Sequence, residues 1–196
     1  FGTSYDEVAS GFAFSPDSKW VAYLENGQRF ITHAGLYNIE SGKSTIVSDP
    51  EVDTGSLCFS PDGLYLYLLQ HRDVKMGREA VSSQFVHQFS SKLTAVVLSS
   101  STPSPFAPKN EEEAEAQKRA DAPDPKNMKV DLDGISDRLI DMKAPAGAYQ
   151  YVLAAGSRVL LIGQGALLGF DPAAKSLTPL ASGVVGLGLS SDGKKL

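Results

Sequence analysis

The sequence predicts an all-β protein built from β-propeller blades of four antiparallel strands. Two observations carry this. An apolar–Ser-Pro-Asp–apolar stretch occurs at Phe12–Tyr23 and again 45 residues later at Leu57–Leu69. A second strand pair follows the first such hairpin, and another follows a later hairpin, which makes about four short strands per roughly 40–45 residues, the spacing of propeller blades. One blade cannot bury both faces of its sheet, so blades stack and stability comes from neighbours.

The clearest unit is Leu57–Leu69, LCFSPDGLYLYLL. Pro61 suits the second position of a type I turn because its ring fixes φ, and Gly63 takes angles that a β-carbon resists. Aromatic flanks on both sides read as a β-hairpin. In the earlier copy Phe14 matches Phe59, Trp20 matches Tyr65 and Tyr23 matches Leu68. Tyr151–Ile162 has the same apolar flanks around Gly156-Ser157, and a weaker copy, Leu187–Leu196, ends the sequence. The second pairs are Leu36–Ile39 with Ser44–Val47, and Leu167–Phe170 with Ser176–Leu180.

One blade is interrupted. Gln70–Ser91 reads as a polar excursion before a strand at Leu93–Leu98. Residues 99–127 break every pattern, being rich in Ser and Pro, then acidic at Glu111, Glu112, Glu113 and Glu115. They are expected to form one long disordered insertion, with room for a helical turn near Glu111–Arg119. Pattern resumes at Met128–Leu132, and Arg138–Met142 is the expected outer strand. The expected organisation is therefore residues 1–98 as the first blade and most of the second, 99–127 as insertion, and 128–196 as the end of the second blade, a third, and the start of a fourth. About three blades plus part of another make an incomplete ring, since closed propellers need about four or more.

Composition narrows the function. The 196 residues carry a net charge of -5, which argues against nucleic acid as the main partner. No run approaches the roughly 18 apolar residues of a membrane span. The sequence opens with Phe1 rather than Met, so it is expected to be a piece of something longer, and it says nothing about targeting. The single Cys58 excludes an internal disulfide and, between Leu57 and Phe59, reads as an inert core thiol.

Candidate chemistry is sparse. A hydrolase needs a nucleophile and a base within hydrogen-bond reach. His33, His71 and His87 are the available imidazoles, and none lies beside a nucleophile elbow. His71 and His87 are expected to be solvated or to line a loop. Asp131, Asp133 and Asp137 are spaced somewhat like calcium ligands but lack the closing Glu, and Asp133-Gly134 reads better as a turn between two strands. Gly163-Gln164-Gly165 and Gly183–Gly186 lie between strands, so they are turns rather than phosphate loops. Glu111–Glu115 reads as solvated surface. Phe12, Phe14, Trp20, Tyr23, Tyr65 and Tyr67 could line a peptide-binding wall, but packing between blades accounts for them. No catalytic, cofactor or metal residue is assigned.

The irregular stretch carries a resemblance. Ser101–Pro108, an acidic loop, then Val130–Arg138 and Ala144–Tyr149 resemble, in order and spacing, the N-terminal propeller region of tricorn-type proteases. The Ser-Pro-Asp-Gly hairpins agree on both sides but are shared with TolB-like and dipeptidyl-peptidase-like propellers. The resemblance implies a large serine peptidase that degrades oligopeptides, assembled as a homo-oligomer, in the cytoplasm or, alternatively, periplasmic or secreted. It implies peptides as partners, along with other blades and catalytic domains of the parent chain, and no nucleic acid or membrane. The catalytic serine and histidine of such chains lie in a later part, so none is carried over. The alternatives are a TolB-like interaction propeller and the cap of a dipeptidyl-peptidase-like hydrolase.

Overall fold

The computed structural model describes residues 11–27, 30–78, 85–102, 106 and 124–184, and for 72–78 and 85–89 it describes backbone alone. These residues form three four-stranded antiparallel sheets. Blade 1 holds β1 (Phe12–Phe14), β2 (Trp20–Asn26), β3 (Thr32–Asn38) and β4 (Ser44–Ile46). Blade 2 holds β5 (Thr54–Phe59), β6 (Tyr65–Arg78), β7 (Phe85–Val97) and β8 (Leu139–Asp141). Blade 3 holds β9 (Tyr151–Ala155), β10 (Arg158–Gly163), β11 (Ala166–Asp171) and β12 (Ser176–Ser182). In every blade the strands lie in chain order. The expected open array of blades is what the sheets form.

Period-two alternation decides which seam each side chain enters. In β5, Leu57 and Phe59 join Trp20, Ala22, Ala34 and Leu36 of blade 1 in one core, with Leu66, Leu68, Val96 and Leu98. Cys58 points the other way, into a second core with Tyr67, Leu69, Leu93, Val152, Val159, Leu161 and Phe170. Blade 2 is thus apolar on both faces. Between the cores and the sheet edges sit tight turns. Gln164 and Gly165 both have positive φ, 52° and 72°, the geometry that joins β10 to β11 in two residues. Pro179 falls on β12, an edge strand, where a residue without an N–H is tolerated.

Five expectations are corrected. Gln70–Ser91 is not a loop-like excursion: β6 runs on to Arg78 and pairs with β7 from Phe85, in register Val74 opposite Phe89 and Met76 opposite His87. Alternation continues there, hidden by the charged residues between. Met128–Leu132 forms no strand, and Gly134, left-handed at φ 63°, opens a 3-10 turn over Ile135–Arg138 rather than joining two strands. Side-chain bonds take up its backbone groups instead of a ladder. Phe12 and Phe14 are not packed between blades: they are 62% and 61% exposed on the face of blade 1 that turns away from blade 2, their rings edge to face. Finally, His71 is neither free in solvent nor on a loop, as described below. The expected helical turn near Glu111–Arg119, most of the expected insertion and the hairpin at Leu187–Leu196 lie outside the described residues.

Candidate functional site

The histidines fall on three strands, His33 on β3, His71 on β6 and His87 on β7. The structure assembles a polar site around His71. Asp53 precedes β5, and its Oδ2 lies 2.7 Å from His71 Nδ1. Its Oδ1 accepts the Thr32 N–H of β3 at 2.8 Å, and its carbonyl accepts the His71 N–H at 2.9 Å. One carboxylate therefore ties blade 1 to the long hairpin of blade 2. Burial alone raises the Asp53 pKa, but the Thr32 N–H, the His71 hydrogen bond and the His71 charge outweigh it and hold the carboxyl below its ordinary value. Gly55 leaves room for the ring, since a Cβ there would meet His71 Cε1 at 3.2 Å.

Sequence reasoning missed Asp53. The signal was the hairpin register counted outward from the turn, Leu57 opposite Leu68. A bulge between Thr54 and Ser56 shifts that count. The pair resembles the carboxylate–imidazole half of a hydrolase triad, but its described role is to join two blades. The one thiol offers no nucleophile either: Cys58 is buried, which pushes its pKa well up and keeps it protonated.

Of the aspartates weighed as calcium ligands, Asp131 is engaged by serine donors. Asp131 Oδ2 accepts the Ser100 N–H at 2.9 Å, the Ser100 hydroxyl at 2.8 Å and the Ser99 hydroxyl at 3.0 Å. The Ser100 N–H, then its hydroxyl, pull the carboxyl well below the usual range, helped by Ser99 and Lys129. Arg138 spans the same segment, donating Nε–H to the Val97 carbonyl at 3.0 Å, Nη1–H to the Asp133 carbonyl at 2.8 Å and Nη2–H to the Asp131 carbonyl. Asp133 and Asp137 do not join Asp131 in a ligand set, and the described residues contain no cluster of three or more ionisable metal ligands.

The Ala144–Tyr149 segment forms the other seam. Gly147 exchanges two backbone bonds with Ser91, whose hydroxyl donates to the Tyr149 carbonyl at 2.8 Å. Tyr149 folds back to donate to the Pro145 carbonyl at 2.9 Å, and its ring covers Gly147 so closely that a Cβ there would lie 2.6 Å from it. Ser56 Oγ accepts the Val152 N–H at 3.1 Å. A cleft of about 160 Å³ lies between the Asp62-Gly63 turn and Ser99–Thr102, and another of about 90 Å³ lies beside Lys92 and Thr94. Neither reaches the roughly 300 Å³ of a ligand pocket. No helix among the described residues is long and apolar enough to cross a membrane.

Comparison with known proteins agrees with the fold. The sequence profile of the tricorn protease second β-propeller domain matches residues 3–196. Tricorn protease homolog 1 of Streptomyces coelicolor is 28% identical over 163 residues, covering 80% of this chain and 15% of that protein. A Tricorn-like protease C-terminal subunit of Sulfurisphaera tokodaii is 33% identical over 138 residues, covering 70% of this chain and 14% of that protein. The crystal structure of the tricorn protease superposes at a TM-score of 0.75 with 18% identity, covering 96% of this chain and 20% of that one. A TolB from Agrobacterium tumefaciens shares the fold more loosely, at a TM-score of 0.50 and 13% identity, covering 86% of this chain and 47% of that one. The chain thus spans about a seventh of the length of the curated relatives it matches. The expected N-terminal propeller region is specifically the second propeller, and the chain belongs to the family of tricorn protease second β-propeller domains.

Proposed function

We propose that the chain is a non-catalytic propeller segment of a tricorn-like serine peptidase that degrades oligopeptides, and that it gates or binds peptide. The observation that carries this is the profile match over residues 3–196. The described chemistry supports it: the carboxylate–imidazole pair is engaged in joining blades, and the thiol is buried. The interaction-propeller alternative draws only on a shared fold. In the cell the segment works inside a homo-oligomer of its parent chain, in the cytoplasm. The test is turnover. The chain, incubated with a fluorogenic oligopeptide, should release no product while retaining peptide in equilibrium dialysis. Hydrolysis blocked by a serine-directed inhibitor would overturn the non-catalytic reading, and no retention would overturn the peptide reading.

A further inference from the structure

The irregular stretch that carries the family resemblance has a described member inside the fold, Phe106. Phe106 lies on no strand, yet it packs against the core between blades 2 and 3. The middle of that core is sealed: Leu93, Leu161 and Phe170 are fully buried. Its rim is not. Tyr65 and Ile140 of blade 2 and Leu168 and Leu177 of blade 3 pack against the same core and are only partly buried. Phe106, half-buried itself, adds apolar cover there that the strands do not supply.

A cation completes the seat. Lys175 Nζ stands 5.0 Å from the centroid of the Phe106 ring, within the range of a cation–π contact. The turn between β11 and β12 presents it. Asp171 Oδ1 accepts the Ala173 N–H at 2.9 Å and the Ala174 N–H at 3.1 Å, and Lys175 then takes a left-handed φ of 52°. Glycine or asparagine takes that conformation at least cost. A long cationic side chain there is an outlier, and such outliers cluster at ligand clamps. An apolar floor beside a positioned ammonium is the chemistry that recognises an aromatic ring.

We infer that this rim is a subsite for an aromatic residue of a peptide, and that Phe106 occupies it as an internal stand-in. The inference rests on the peptide-handling reading above and gives it a place and a residue class. Dispersion and the ammonium hold the Phe106 ring, and both act equally on the ring of a free peptide. Tethering is what favours Phe106, because an occupant on the same chain competes at an effective concentration on the order of millimolar. A peptide with a ring and further contacts displaces it, whereas one without a ring does not. When no peptide is present, the stand-in keeps the apolar rim covered.

The experiment is fluorescence anisotropy with the intact chain and a labelled, end-blocked Ser-Pro-Phe-Ala-Pro peptide, the sequence of residues 104–108. Weak, saturable binding to the wild type is expected. Phe106→Ala should lower Kd about tenfold, because the tethered competitor is gone. A purely structural role for Phe106 would not tighten binding. Adding Lys175→Gln to that variant should raise Kd about threefold, through loss of the cation. Cyclohexylalanine in place of the peptide's Phe keeps the apolar bulk and removes the π face, so the wild type should bind it about threefold more weakly. Equal affinity of wild type and Phe106→Ala would overturn the proposal. Equal binding of the two peptides by the wild type would overturn the aromatic seat without involving any variant. If neither protein binds this peptide while the fluorogenic oligopeptide is still retained in dialysis, the subsite is overturned and peptide handling stands. Loss of both signals would overturn both readings.

Discussion

In blade 1 the Ser15 hydroxyl donates to Asp17 at 2.6 Å and accepts the Trp20 N–H at 2.9 Å. In blade 2 Ser60 does the same with Asp62 at 2.5 Å and Tyr65 at 2.9 Å. Asp17 accepts the Lys19 N–H and Asp62 the Leu64 N–H, both at 3.1 Å. The two turns are the same object made of local bonds. What surrounds them differs. Phe59 is 8% exposed, sealed against blade 1, whereas its counterpart Phe14 is 61% exposed. Turn geometry is set by four residues; burial is set by the next blade.

The largest effect that can break this comparison is truncation of the two phenylalanines. Phe59→Ala should lower unfolding free energy by about 3–5 kcal/mol, because it empties a packed seam. Phe14→Ala should stay within about 0.5 kcal/mol, as for other surface positions. Urea unfolding followed by Trp20 fluorescence measures both. Equal losses would mean that Phe14 is covered in solution and that the blades are not different after all.

A smaller effect sharpens the contrast between the turns themselves. Ser18 and Gly63 occupy the same left-handed position, at φ 60° and 71°. A side chain there costs roughly 1–2 kcal/mol, and Gly63 also lies under Met128, where a Cβ would come within 2.5 Å of Cγ. Gly63→Ser should therefore destabilise by about 2 kcal/mol, strain and displacement together. Ser18→Gly should stabilise by at most about 1 kcal/mol, since relief of strain is partly offset by a more flexible unfolded chain. The reciprocal pair is read from thermal midpoints. Matching losses in the two variants would show that the turns are not interchangeable backbones.

The legible and illegible parts of this protein divide along the same line. The Ser-Pro-Asp turns, the Gly156-Ser157 and Gln164-Gly165 turns and the alternation of β9–β12 are local, so the sequence alone predicts them. The long hairpin of β6 and β7 was not legible because Arg72, Asp73 and Lys75 interrupt the apolar pattern while the backbone pairing continues. Asp53 was not legible as a partner of His71 because a bulge at Gly55 moves the register by one. Asp131 falls in a stretch patterned like a strand, yet it and Arg138 satisfy backbone groups through their side chains without any ladder. That irregular segment nonetheless carried the family resemblance, since its bonds to Ser99, Ser100 and Val97 depend on particular side chains in a particular order. The Ser-Pro-Asp turns are shared with other propellers and so identify only the fold.

The two seams of blade 2 offer the finest test. Between blades 2 and 3 the cross-bonds are neutral, from Val152 N–H to Ser56 and from Ser91 to the Tyr149 carbonyl. Between blades 1 and 2 the bond runs through a carboxylate. Asp53 has a folded pKa depressed below its reference value of 3.8. Its contribution is therefore complete above about pH 4 and disappears as pH falls through the folded value, because protonation then favours the unfolded chain. The group is partly exposed, which keeps the effect small through solvent screening. Asp53→Asn should flatten the acid limb of a thermal midpoint profile below about pH 4, relative to wild type. Ser56→Ala should lower the whole profile and leave its slope unchanged, because no charge is lost with the hydroxyl. If Asp53→Asn kept the wild-type slope, the carboxylate would not be bearing on the seam, and the blade 1–2 junction would rest on its apolar core alone.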